Sequence, residues 1–131
     1  MTPFVTADQL YAHAVGDYVL QTSWMSREKH RRAWVAVLHA LVYSLPFVAM
    51  FRPSALAWLT IFGTHAVIDH LRLARYVAWA VQHFAPDRPT PLEETTTGYP
   101  AGTPDWLAGW LLIIVDNLMH VTVNAAALRY L

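Results

Sequence analysis

His13-Ala14-Val15-Gly16-Asp17 and His65-Ala66-Val67-Ile68-Asp69, with Asp116-Asn117-Leu118-Met119-His120 in the reverse order, decide how this chain folds. Each places a histidine and an aspartate four residues apart inside an apolar stretch. On a helix, both side chains then lie on one face about a turn apart. The stretches around them, at about 7–26, 54–72 (with a continuation towards residue 84 left open) and 104–128, are each near the roughly 20 residues that cross a bilayer core. A fourth such segment, 33–51, contains no charged residue and carries His39. The sequence therefore predicts an all-α fold: a four-transmembrane-helix antiparallel bundle, in one domain spanning 1–131, with a central polar metal-binding cluster.

The alternative is a soluble four-helix bundle, which needs a solvated face on each helix. Segments 33–51 and 106–128 are apolar all round, which favours lipid. Composition agrees, with 56% hydrophobic and 14% charged residues against roughly 25% charged in ordinary soluble domains. Nine basic and nine acidic residues balance, leaving no broad positive field for a nucleic-acid backbone, so nucleic acid is not an expected partner. With no cysteine, metal ligands have to be His, Asp or Glu. Met1-Thr2-Pro3-Phe4 lacks the basic start and apolar core of a cleavable signal, so insertion is expected to rest on a mature helix.

Thr6-Ala7-Asp8-Gln9 has the form of a capping box at a helix start, and Thr103-Pro104-Asp105 opens the last helix. Residues 86–103 hold four of the eight prolines and read as a surface loop. Arg27-Glu28-Lys29-His30-Arg31-Arg32 places the first connection in the cytoplasm by the positive-inside rule, with both termini outward, as in a bacterial inner membrane. Pro46 is expected to kink its helix, and Gly16 and Gly63 to permit close helix contact.

Four histidines and three aspartates fall within these segments: His13, Asp17, His39, His65, Asp69, Asp116 and His120. Counted from the outer helix ends they sit 6 to 14 residues in, roughly 9 to 21 Å at the helical rise, and so near one depth. An aspartate at the centre of a span costs roughly 2.5–3.5 kcal/mol on insertion scales, so three at one level call for a shared partner. Interhelical hydrogen bonding is the simpler alternative for any one pair. The full set of seven, with no Lys or Arg among them, matches the ligands of zinc, with iron and manganese also compatible. Three carboxylates, two divalent ions and one bridging hydroxide are electrically neutral together, which predicts two metal ions. Gln21, His70, Asn117 and Asn124 lie where they can orient ligands. Gln9, near the end of the same stripe, is expected to meet water. Asp69 and Asp116 are candidates for a bridging or general-base role, and Arg72, seven residues from His65, for holding a substrate phosphate; snorkelling to the interface is the competing role for Arg72.

The string from His13 to Gln21, followed by Trp24, Lys29, His39, the His65–His70 run and Asp116–His120, resembles an uncharacterised domain-of-unknown-function family of small bacterial and phage membrane proteins with an H-x-x-G-D-[YF]-x-L-Q motif. That resemblance covers nearly the whole chain and implies a membrane topology. The paired H-x-x-x-D motifs resemble those of the intramembrane zinc site of cation diffusion facilitators, and the same spacing recurs in helical zinc phosphoesterases. The function these features point to is a membrane-embedded metal-dependent hydrolase acting on a lipid ester or phosphoester. Three alternatives remain: a metal transporter or ion-coupled carrier, for which a homodimer would supply more helices; a di-iron redox protein; and a structural or partner-binding protein stapled by metal.

Overall fold

The structure, a computed structural model, describes residues 3–131; Met1 and Thr2, part of the stretch that bears on a cleavable signal, lie outside the described residues. Among the described residues six α-helices form: α1 (Ala7–Ala14), α2 (Ser23–Glu28), α3 (Ala33–Phe51), α4 (Ala55–Leu71), α5 (Leu73–Gln82) and α6 (Asp105–Tyr130). A π-helical turn, Val15–Val19, follows α1, and a 3-10 turn spans Leu92–Glu94. No strand is present among the described residues. The fold class is all-α, as the sequence predicts.

Helix boundaries follow local chemistry. The capping box at α1 forms as expected: Thr6 N–H donates to Gln9 Oε1 (3.0 Å) and Gln9 N–H to Thr6 Oγ1 (3.2 Å). Gln9 is thereby drawn into the protein, 8% exposed, rather than out to water. The expected continuous first helix over 7–26 instead breaks after Leu20, and Thr22 caps a new short helix through Met25 N–H (3.1 Å). The continuation of the third helix towards residue 84, left open by the sequence, is interrupted at Arg72, whose φ of 52° is left-handed, and α5 resumes at Leu73. This ends the helical register between α4 and α5. Arg52, φ 48°, closes α3 in the same way. Helix α3 runs through Pro46 to Phe51 without a break.

Backbone contacts group the chain into two compact units, Met1–Leu71 with His120–Leu131, and Arg72–Met119. In the first, α1, the π turn and α4 pack against α3. Its apolar core is Ala12, Tyr43, Phe47, Ala57, Ile61 and Ala127, flanked by Phe51 and Leu128. Gly16 is where the π turn meets α3 most closely: a β-carbon there would lie 2.6 Å from the Tyr43 carbonyl oxygen. Only glycine allows that approach. Gly63, expected to do the same, does not: a β-carbon added to it would meet nothing within 4 Å. In the second unit, Gly98 at φ +87° seats the loop on α5, against Arg75 and Trp79, and Trp79 Nε1 donates to the Thr90 carbonyl (2.9 Å).

Helices α3 and α6 are long and apolar enough to cross a membrane. Helix α4, at 17 residues, is shorter.

Candidate metal centre

Four side chains from three elements converge at one point in the first unit. The π turn provides Asp17, α3 provides His39, and α4 provides His65 and Asp69. A π turn widens the backbone by one residue per turn and often occurs where a side chain must be re-aimed. Here it carries Asp17, which is buried beside Gly16. His65 and Asp69 meet as their i,i+4 spacing predicts, with Nε2 3.2 Å from Asp69 Oδ2.

The ligand atoms form a cage. His39 Nε2 is 3.1 Å from His65 Nε2, 3.1 Å from Asp17 Oδ1 and 3.3 Å from Asp69 Oδ2. His65 Nε2 is 3.8 Å from Asp17 Oδ1. Four ligands at about 2.0–2.1 Å from a tetrahedral zinc would stand about 3.3–3.4 Å apart, and the observed separations bracket that value. All four residues are at most 4% exposed. Two imidazole nitrogens and two carboxylate oxygens crowded into such a volume need a shared positive charge, and this donor set fits a divalent ion.

Asp69 faces two ways. While Oδ2 belongs to the cage, Oδ1 lies 3.4 Å from His120 Nε2, and the His120 ring is 4.1 Å from that of His65. His13 is less direct. Its Nε2 is 3.9 Å from Asp17 Oδ2, while its Nδ1 is 2.9 Å from the Tyr43 hydroxyl. That hydroxyl also accepts from Asn124 Nδ2 (2.6 Å), and the Tyr43 ring stacks on His65 at 3.6 Å. Tyr43 and Asn124 thus hold two of the histidines in place. Such supporting contacts usually fix the orientation of metal ligands. The Nδ1 atoms of His39 and His65 have no hydrogen-bond partner among the described residues, so stacking and packing set those two rings.

A cation absent from the sequence-based cluster completes it. Lys29, expected in an exposed basic loop, is 7% exposed. It donates from Nζ to Asp69 Oδ2 at 2.7 Å, with Asp17 Oδ1 at 4.0 Å. Two further bonds clasp this segment to the end of α4. His70 Nδ1–H donates to the Lys29 carbonyl (2.9 Å), and His30 Nδ1–H donates to the Asp69 carbonyl (2.8 Å). His70 therefore supports the site through the backbone of Lys29, and the cluster does contain a lysine.

Asp116 and Asn117 stand about one turn before His120 on α6, both half-buried. Gln21 is half-buried beyond the π turn. Arg72 lies in the helix break, off the α4 register that linked it to His65, and its Nη2 donates to the Thr96 carbonyl (2.9 Å). Lys29 is the cation on the carboxylates. Asp69 lies two residues before the close of α4 and His39 six residues into α3, roughly 3 and 9 Å along their helices. The cage is thus displaced from mid-helix towards the end bearing the 29–32 connection. Of the residues the sequence reading omits, Tyr43 carries only the signal of a lone hydroxyl in an apolar helix. Lys29 carries no local signal beyond its place in the family-like string.

An all-helical protein with a buried His/Asp cluster suited to a metal ion is the class that fold and site define. The chain belongs to the DUF3307 family, described as a protein of unknown function, whose model matches residues 5–130. No curated protein and no solved structure matches it.

Proposed function

We propose that the protein is a membrane-embedded, dinuclear metal-dependent hydrolase. The observation that carries this reading is the division of Asp69, with one oxygen in the Asp17/His39/His65 cage and the other towards His120. A carboxylate so placed could bridge two ions. The first ion would have four protein ligands, Asp17, His39, His65 and Asp69. The second would have Asp69 and His120, and so would keep coordination positions open, as catalytic sites do. His13, oriented by Tyr43, would be a further ligand. Ions held there would lower the pKa of a coordinated water and polarise an ester oxygen. The reaction is hydrolysis: water adds across an ester bond and yields an acid and an alcohol. Zinc suits the tetrahedral cage, and iron would be told from it by visible absorbance sensitive to reductant.

The membrane reading is supported by the outward apolar residues of α3 and α4, among them Val37, Leu41, Leu45, Leu56, Leu59 and Val67, and by the length of α3 and α6. We place four crossings in a bacterial inner membrane, with 29–32 cytoplasmic. The first is made by α1 and the π turn and completed at the interface by α2.

A second reading, a metal-stapled structural protein, is favoured by the closure of the four-ligand cage. One experiment separates the two. Metal analysis of the protein purified in detergent is expected to give about two equivalents per chain, falling to one or none in His65→Ala and to none in Asp69→Ala. Unchanged metal in both variants would remove the site. A single, non-exchangeable equivalent would favour the staple.

A further inference from the structure

We propose that Lys29 makes this an anion-selective centre whose substrate carries a phosphate, so that the ester hydrolysed is a phosphoester rather than a neutral carboxylic ester. This rests on the hydrolase reading above and deepens it.

Asp17, Asp69 and one divalent ion in the cage cancel in charge. The buried ammonium of Lys29 then leaves one positive charge uncompensated, and a low-dielectric site does not hold an excess charge without a partner. A phosphodiester or a phosphate monoanion supplies one negative charge; a neutral carboxylic ester supplies none.

Geometry agrees. Lys29 approaches Asp69 Oδ2 and Asp17 Oδ1, the same two oxygens that form one edge of the cage. Its ammonium therefore stands directly beside the ion position, and its three donors can serve a carboxylate and a phosphoryl oxygen together. The His30 and His70 bonds fix the Lys29 backbone against α4, which removes much of the freedom a lysine on an open loop would have. The cage also lies towards the end of α4, not its middle, where a membrane-embedded protein meets lipid headgroups and soluble anions. The shared chemistry is a phosphate with two or three non-bridging oxygens, whether on a phospholipid or in solution.

The test uses the detergent-purified protein loaded with manganese and the phosphorus resonance of two probes, inorganic phosphate and dihexanoylphosphatidylglycerol. Paramagnetic broadening of a probe reports binding beside the metal. Broadening is expected in the wild type and in Lys29→Arg, with binding about 10- to 100-fold weaker in Lys29→Met, the range for loss of a hydrogen bond to a charged group, at equal manganese content. Triacetin, a neutral ester, is expected not to reverse it. Broadening confined to inorganic phosphate assigns a soluble substrate, and broadening of the lipid assigns a headgroup. If manganese binds but neither probe broadens, or Lys29→Met broadens them as the wild type does, or triacetin displaces them, this inference is overturned while the metal centre stands. If no manganese binds to the wild type, both are overturned.

Discussion

Two buried regions adjoin within the same unit and are held by different forces. The apolar core around Phe47 and Ile61 packs hydrocarbon against hydrocarbon, with every member at most 2% exposed. The cage one to two turns away along α3 and α4 is equally buried but built from two carboxylates, two imidazoles and an ammonium. Apolar packing is self-sufficient and loses stability in proportion to the volume removed. A buried charge cluster is conditional, because removing one partner leaves the others desolvated and unpaired. Tyr43 belongs to both: its ring lies in the core and on His65, and its hydroxyl reaches His13. Substitution in the apolar core should therefore lower stability without loss of metal, except at Tyr43.

The largest effects fall on the two centres of these regions. Asp69→Ala is expected to cost about 3–5 kcal/mol, the range for breaking a buried ion pair, with loss of bound metal. Phe47→Ala is expected to cost a similar 3–5 kcal/mol by cavity formation, yet to keep its metal. Denaturation in detergent read beside metal analysis checks both. Metal loss in Phe47→Ala at temperatures where it remains folded would show that the regions are not independent. Tyr43→Phe touches both regions and is expected to have a smaller effect on each. It keeps the ring on His65 but removes the acceptor for Asn124 and the partner of His13, and so is expected to destabilise by about 1 kcal/mol and to weaken metal affinity about 10- to 100-fold. Unchanged affinity would remove His13 from the ligand set.

How much of this is legible in the sequence follows the same division. The ends of α3, α4 and α6 mostly fall within a residue or two of their sequence-based bounds, because uninterrupted apolar runs and local caps determine them. The pairing of His65 with Asp69 is legible because it depends only on helical spacing. The break after Leu20 is not, since nothing in Tyr18-Val19-Leu20-Gln21 opposes a helix, and it is tertiary contact at Gly16 that accompanies the π turn. Lys29 escapes for a related reason. A basic run is ordinarily solvated, and only the approach of α4, 40 residues later in sequence, brings a carboxylate to its ammonium. Asp17 and His39 share no periodicity and could be joined only through the cost of burying them.

The smallest predicted effect is at Gly63, and its contrast with Gly16 tests how closely the two regions are fitted together. Gly16 and Gly63 sit one on each of two packed elements and look alike in sequence, each a single glycine in an apolar stretch. At Gly16 an added methyl would lie 2.6 Å from a backbone oxygen and 2.8 Å from Tyr43 Cδ2. Gly16→Ala therefore has to push the π turn off α3, at about 1–3 kcal/mol for overpacking, and to move Asp17 away from His39. At Gly63 the methyl meets open space in the middle of a regular helix. Gly63→Ala is expected to stabilise by about 0.5–1 kcal/mol through backbone entropy alone and to leave metal content unchanged. The two variants should move the unfolding midpoint in opposite directions, and only the first should lower metal affinity. A Gly16→Ala protein with wild-type metal affinity would mean that the close approach of the π turn to α3 serves the apolar core and not the position of Asp17.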